Sequence, residues 1–163
     1  MSEMTYDLAH QIFDCKDGQL FWKVDFRHIK AGTMAGTKDK RYASVKYKGK
    51  KYLTHRIVFL MHHGYFPEMV DHINNNTFDN RIENLREANA TQNAQNRPVI
   101  SRNKTGVANV IWVPEHEKYR VRLSVNGSRK CFGYYDDLEA AAVIAEQARQ
   151  QHYGSFVYKG ERT

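Results

Sequence analysis

Val70-Asp71-His72-Ile73-Asn74 is the stretch on which the reading of this chain turns. A carboxylate and an imidazole stand side by side, and the Asn-rich run Asn75-Asn76-Thr77-Phe78-Asp79-Asn80 that follows reads as a polar loop. Arg81-Ile82-Glu83-Asn84-Leu85 then returns the chain toward a core, and Asn93 follows on a short helix.

An adjacent Asp and His bring two chemistries to one place. The carboxylate is a hard oxygen donor suited to a divalent cation, and the imidazole titrates near neutrality, where it can act as a base. Hydrolysis of a phosphodiester uses both: a cation to offset charge on the phosphate and the leaving oxygen, and a base to take a proton from the attacking water. The dipeptide alone is also a common turn feature, and Asn and Asp bond readily to nearby backbone in solvated loops.

The continuation of the motif separates these readings. Through His55-Arg56, Asp71-His72-Ile73-Asn74, Asp79-Asn80-Arg81, Asn84-Leu85-Arg86 and Gln92-Asn93, the chain resembles the HNH nuclease family. In that family a strand, a long loop, a second strand and a helix form a ββα-metal (His-Me) finger. The resemblance implies that His72 is the general base, Asp71 a metal carboxylate, Asn84 the central Asn that braces the loop, and Asn93 the second metal ligand. Many members carry His at the last position; Asn is usual in phage homing enzymes of this type. Asn89, Asn93 and Asn96 share one helical face, so Asn96 and Asn89 stand in reserve for that ligand. Oxygen donors of this kind suit Mg²⁺ or Mn²⁺.

Composition bounds the rest. The 163 residues suffice for one domain or two small ones, and 41% hydrophobic content is enough for real cores. Lys and Arg number 25 against 18 Asp and Glu, a net charge of +7 that favours a polyanionic partner. The longest apolar run, Ile57-Val58-Phe59-Leu60-Met61, is far short of the ~20 residues a membrane-spanning helix needs. Met1-Ser2-Glu3-Met4 has neither a basic leader nor an apolar segment, so a cytoplasmic location is expected, the bacterial host's if the protein is phage-encoded. Cys15 and Cys131 lie far apart without a CxxC pair, which points away from a disulfide framework and a thiolate zinc site.

The first fifty residues read as a β-rich region. Asp17-Gly18 is a turn signal before a strand over Gln19–Val24, and Tyr42–Tyr47 with Lys50–Leu53 form a hairpin around Lys48-Gly49. Alternation puts Ala43, Val45 and Tyr47 on a packed face and Ser44, Lys46 and Lys48 on a basic one. Lys46, Lys48 and Lys50 are expected to follow phosphates. Thr54 is placed to cap a helix through Ile57, Leu60 and Met61 that ends at Gly64. His55 and His62 fall on one face of it, but no Cys or further His completes a tetrahedral set, so no structural zinc is expected. His55 is a candidate for support behind the active site, and Arg56 for a phosphate contact.

Arg97 to Gly106 breaks the helical pattern and reads as a linker. Strands are expected near Val107–Val113, Tyr119–Val125 and Lys130–Tyr134, the last two joined by an Asn126-Gly127 turn. A helix follows over Leu138–His152, with Asp136 and Glu139 as a capping box and Gly154 as its stop. Through Gly106-Val107, Tyr119-Arg120-Val121-Arg122-Leu123, Phe132-Gly133-Tyr134, Leu138-Glu139-Ala140-Ala141 and Gly154, this segment resembles the AP2 DNA-binding domain. It departs from that pattern at Ala108-Asn109 and at Val143-Ile144-Ala145-Glu146. Tyr119, Val121, Leu123 and Val125 should face the helix; Arg120, Arg122 and Ser124 should face outward, extended by Arg129 and Lys130, where arginine can meet phosphate or guanine. Trp112 is expected as a core anchor, with a groove contact as the alternative.

The fold expected is therefore α+β: a β-rich DNA-contacting region over 1–53, an HNH ββα-metal core over 54–97, a linker over 98–105 and an AP2-like three-stranded sheet plus helix over 106–163. The order of the two resemblances matches phage-type homing endonucleases. It implies cleavage or nicking of double-stranded DNA with one divalent metal, leaving a 5′-phosphate and a 3′-hydroxyl. One finger holds one active site, so a double-strand cut calls for a homodimer or two successive nicks. The rival is a non-catalytic DNA-binding regulator with a remnant finger. RNA binding is disfavoured, because the arginine sheet lacks the stacked aromatic pair of single-strand readers.

Overall fold

The computed structural model describes residues 4–96 and 103–157, and the chain forms two compact units, residues 1–89 and 90–163. The expected linker lies largely on residues 97–102, outside the described residues. Among the described residues, no helix is long and apolar enough to cross a membrane.

The first unit opens with α1 (Tyr6–Ile12), capped by the Thr5 side chain, and a hairpin of β1 (Phe13–Lys16) and β2 (Gln19–Trp22). β3 (Met34–Ala35) pairs with β2. A second sheet runs in the order β4 (Thr37–Lys38), β5 (Ala43–Tyr47), β6 (Lys50–Leu53), with the expected turn at Lys48-Gly49. Val45 and Tyr47 pack and Lys46 is exposed, as alternation requires, but Ser44 is buried rather than outward. Its strand is the middle one, and Ser44 lies between Thr37 and Leu53.

α2 (Thr54–His63) is the centre of this unit. Ile57, Val58, Phe59 and Leu60 are nearly fully buried, and join Phe13, Leu20, Trp22 and Val45 in one core. Gly64 closes the helix in the left-handed region, its N–H bonded to the Leu60 carbonyl. Thr54 does not cap the other end: the cap position is Leu53, and Thr54 is already inside the helix, buried, its hydroxyl without a hydrogen-bond partner. β7 (Met69–His72) pairs antiparallel with β8 (Leu85–Ala88), and between them lies the Asn-rich loop, closed by a 3-10 turn over Ile82–Asn84. Strand, loop and strand appear in the expected order; the helix that follows, α3 (Ala90–Gln95), falls in the second unit.

The second unit is a three-stranded antiparallel sheet of β9 (Val110–Val113), β10 (Lys118–Val125) and β11 (Ser128–Tyr135), with β10 central. α4 (Leu138–Tyr153) packs on all three strands. Ala141, Ala145 and Ala148 let it approach closely, and they share a core with Val110, Val121, Leu123 and Val125. A bulge places Phe132 as an extra residue opposite the Val121–Arg122 step, and Phe132 joins this core. Two expectations need correction. The helix cap is Asp137, whose carboxylate accepts from the Ala140 N–H at 2.8 Å, while Asp136 pairs with Lys118 at 3.0 Å. Trp112 is 44% exposed, because its strand is an edge strand and the ring meets only the rim of the core, edge-on to Tyr119 at 4.8 Å.

Candidate active site

β7 delivers Asp71 and His72 to the end of its hairpin, where both are only 5% exposed. Burial pushes the His72 imidazole below its ordinary pKa; its hydrogen bond to the Asn80 side chain and the carboxylates of Asp71 and Asp79 pull the other way. The net direction leaves the ring neutral at pH 7, the form in which it can accept a proton. His72 Nε2 lies 3.0 Å from Asn80 Oδ1, itself buried. Since a carboxamide oxygen only accepts, this contact puts the proton on Nε2 and the lone pair on Nδ1.

The loop that carries Asn80 is stapled from inside. Asn84 Oδ1 accepts from the Asn74 N–H at 3.0 Å, and Asn84 Nδ2 donates to the Asp79 carbonyl at 2.7 Å, so one side chain ties both flanks of the loop. The Asn84 backbone adds a bond from the Ile73 N–H, 2.9 Å. Asp79 is gripped by Arg81 through two nitrogens at 2.8 Å and by Asn74 at 2.9 Å. The Arg81 guanidinium, first, holds the Asp79 carboxyl down at about 2.

Asp71 is the carboxylate of the site, and it has a partner the motif does not announce. Arg86 stands directly across the hairpin and holds Asp71 Oδ2 with Nε at 2.8 Å and Nη2 at 2.7 Å. A buried carboxylate beside a neutral imidazole is a donor set that fits a hard divalent cation. Among the described residues no group of three or more His, Cys, Asp or Glu gathers around a metal, so asparagine, water and substrate oxygens would have to complete the shell. Asn93 lies half-buried on α3, and Asn96 just past its end is 1% exposed; both belong to the second unit.

His55 reaches the site from α2. Its ring centroid is 4.9 Å from that of His72, edge to face, and the Tyr42 ring touches both, 5.2 Å from His55 and 6.2 Å from His72. Burial, then the charges of His72 and Arg56, drive its pKa down to about 3, and Nδ1 is buried with no hydrogen-bond partner. Arg56 donates to the carbonyls of Pro67 at 2.9 Å and Glu68 at 3.2 Å, with its guanidinium over Phe66. Asn80 and Arg86 stand in the motif, but sequence alone gives neither a role. The facing charges of Asp71 and Arg86 become visible once the hairpin register is known; no local signal marks Asn80 as the partner of His72.

Two basic surfaces flank this chemistry in sequence. Lys46, Lys48 and Lys50 are exposed around the β5–β6 turn, with the Lys48 ammonium over Tyr47. On the sheet of the second unit, register puts Arg120 opposite Ile111 and Tyr134, Arg122 opposite Cys131 and Arg129 opposite Ser124, all on the face away from α4. Lys130 pairs with Leu123 instead and so belongs to the helix side, a correction to its place in the outward patch. Arg120 is half-buried, its Nε without a hydrogen-bond partner.

Residues 52–95, from β6 to the end of α3, match the family described as HNH endonuclease. Over 89 residues, 55% of this chain and 71% of the relative, the chain is 30% identical to Protein 3.8 of Escherichia phage T7. No solved structure matches it.

Proposed function

The chain belongs to the same family as Protein 3.8 of Escherichia phage T7 and contains an HNH endonuclease segment, and on that premise we propose that it is a metal-dependent endonuclease of the phage homing type that hydrolyses phosphodiester bonds of double-stranded DNA. The observation that carries the reading is the setting of His72: buried, its pKa pushed down by that burial, hydrogen-bonded to Asn80 and adjacent to a buried carboxylate. An imidazole kept neutral with a fixed tautomer is prepared to take a proton, whereas a turn histidine needs neither burial nor a carboxamide partner.

In this reading His72 accepts the proton of the attacking water at Nδ1. Asn84 keeps the loop closed behind it. Asp71 and Asn93 would hold one Mg²⁺ or Mn²⁺, with Asn96 or Asn89 as the alternative second ligand. The cation, when bound, supplies charge to offset that of the phosphate and the leaving oxygen. Lys46, Lys48 and Lys50 would track phosphates along one stretch of the duplex. Arg120, Arg122 and Arg129 would line an AP2-like face laid against DNA, with the second unit serving as the DNA-binding domain.

The test is cleavage of phage DNA in Mg²⁺ by the native protein and by His72→Ala. Cleavage by the first, loss of at least ~100-fold in the second and equal binding by both are expected, since general-base catalysis contributes at least that much. Equal cleavage by both would remove His72 from its role. DNA binding without cleavage by either, across metals and genomic targets, would support the regulator with a remnant finger.

A further inference from the structure

The turn that joins β1 to β2 lies far from the HNH motif in sequence, yet it abuts the loop that orients His72. Gly18 sits there with φ +74°, and a β-carbon added to it would lie 2.3 Å from the Arg81 nitrogen, 2.3 Å from the Asn80 carbonyl carbon and 2.5 Å from the Asn80 oxygen. All three are backbone atoms, so no side chain can swing aside to make room. The hairpin behind the turn is itself rooted: Phe13 and Leu20 are fully buried and Trp22 nearly so. On its other side the Asn80–Arg81 backbone is held by the Asp79–Arg81 pair and by Asn84. A rigid turn thus meets a stapled loop at the residue whose carboxamide contacts His72.

We propose that the Asp17-Gly18 turn is a positioning element for the catalytic histidine: the absent side chain of Gly18 lets the first hairpin seat the Asn80 backbone, and the Asn80 side-chain oxygen Oδ1 then fixes the ring and tautomer of His72. The catalytic part of this rests on the reading of His72 as general base; the positioning part does not. Gly18 and Asn80 are positioning residues, acting through His72 without touching the reacting atoms.

Gly32 provides the matched control. It has nearly the same backbone angle, φ +84°, but nothing lies within 4 Å of its would-be β-carbon. Gly18→Ala and Gly32→Ala therefore carry similar backbone strain, and only the first collides with the loop. Three measurements are made on the full chain: thermal unfolding, kcat and KM for DNA cleavage, and the ¹⁵N resonances of the His72 ring, which report its tautomer. Gly18→Ala is expected to lower kcat by about tenfold or more with KM little changed, because small displacements of a catalytic group are costly, and to move the His72 nitrogens away from the Nε2–H pattern. Gly32→Ala should leave both unchanged. Asn80→Ala should reproduce the Gly18→Ala effect, Asn80→Asp should restore the Nε2–H pattern because it keeps an acceptor, and the Gly18→Ala/Asn80→Ala pair should lose no more than either alone.

Indistinguishable kcat and ring signals for Gly18→Ala and Gly32→Ala would overturn the proposal. If Gly18→Ala does not fold, Asn80→Ala decides, and native kcat and ring signals in that variant would overturn it equally. If the native protein cleaves no DNA, the nuclease reading fails by itself, and the ring signals alone then decide whether the turn positions His72.

Discussion

At Asp71 two demands meet on one carboxylate. A metal ligand must present its oxygens to a cation, while the structure gives Oδ2 to a guanidinium that is itself only 15% exposed. Removing Arg86 would leave a buried anion, the kind of lesion that costs about 3 kcal/mol or more. Arg86→Ala should therefore lower the unfolding free energy by about that amount in chelator. If Asp71 is a metal ligand, Mg²⁺ should raise the Tm of Arg86→Ala more than that of the native protein, since binding to the folded state stabilises it. Equal Mg²⁺ shifts in both would argue that Asp71 serves the hairpin instead of a cation. His55 makes a second claim at this scale. Its folded pKa, about 3, lies below its ordinary 6.5. Between these values the unfolded chain binds more protons, so the contribution of His55 to stability is complete above pH 6.5 and is lost as pH falls toward 3. About 2–3 kcal/mol should disappear between pH ~6.5 and ~4.5. Urea midpoints of His55→Gln should fall less over that range; an unchanged slope would show that His55 is not the group being charged.

Elements show which signals in the chain were strong and which were overruled. The hairpins at Asp17-Gly18, Lys48-Gly49 and Asn126-Gly127 form where two-residue turns were expected, because residues that accept positive φ are few and their dipeptides are specific. That Asp71, His72 and Asn84 would stand at the two ends of one loop was legible for a similar reason: type and spacing together constrain it. Contacts made across sequence were not legible. Nothing beside Gly18 tells that its missing side chain faces Asn80, and nothing beside Trp112 tells that the core ends before it. Capping failed by small margins, since Leu53 precedes α2 in place of Thr54 and α4 is capped by Asp137, one residue past the expected Asp136. Asp137→Ala should accordingly cost about 1 kcal/mol, whereas Asp136→Ala should barely move the unfolding midpoint, because its pair with Lys118 is exposed. The reverse ranking in chemical denaturation would restore the original assignment of the cap.

Over the whole molecule the net charge is +7, and the basic residues include a lysine hairpin in one unit and an arginine face in the other. Either could be only a solvated surface, and the salt dependence of DNA binding distinguishes that from a grip on phosphate. Each cation that neutralises a phosphate releases counterions, so the slope of log K against log salt falls by about 0.9 per contact. Lys46→Gln with Lys48→Gln should weaken binding and reduce the slope by about 2, and Arg120→Gln with Arg122→Gln should act in the same direction. The fourfold variant then decides whether both surfaces hold the same duplex. Losses that sum in free energy mean that each bound complex engages both units at once. If the two surfaces take separate duplexes, the tighter one sets the measured affinity, and removing the weaker pair changes neither affinity nor slope. Cleavage sharpens the distinction, because a second unit on the same duplex also selects where the nuclease loop lands. Arg120→Gln with Arg122→Gln should scatter the cut positions on a long DNA, while Lys46→Gln with Lys48→Gln should keep them and only slow their appearance below saturation. Unchanged cut positions in the arginine variant would assign target choice to the first unit.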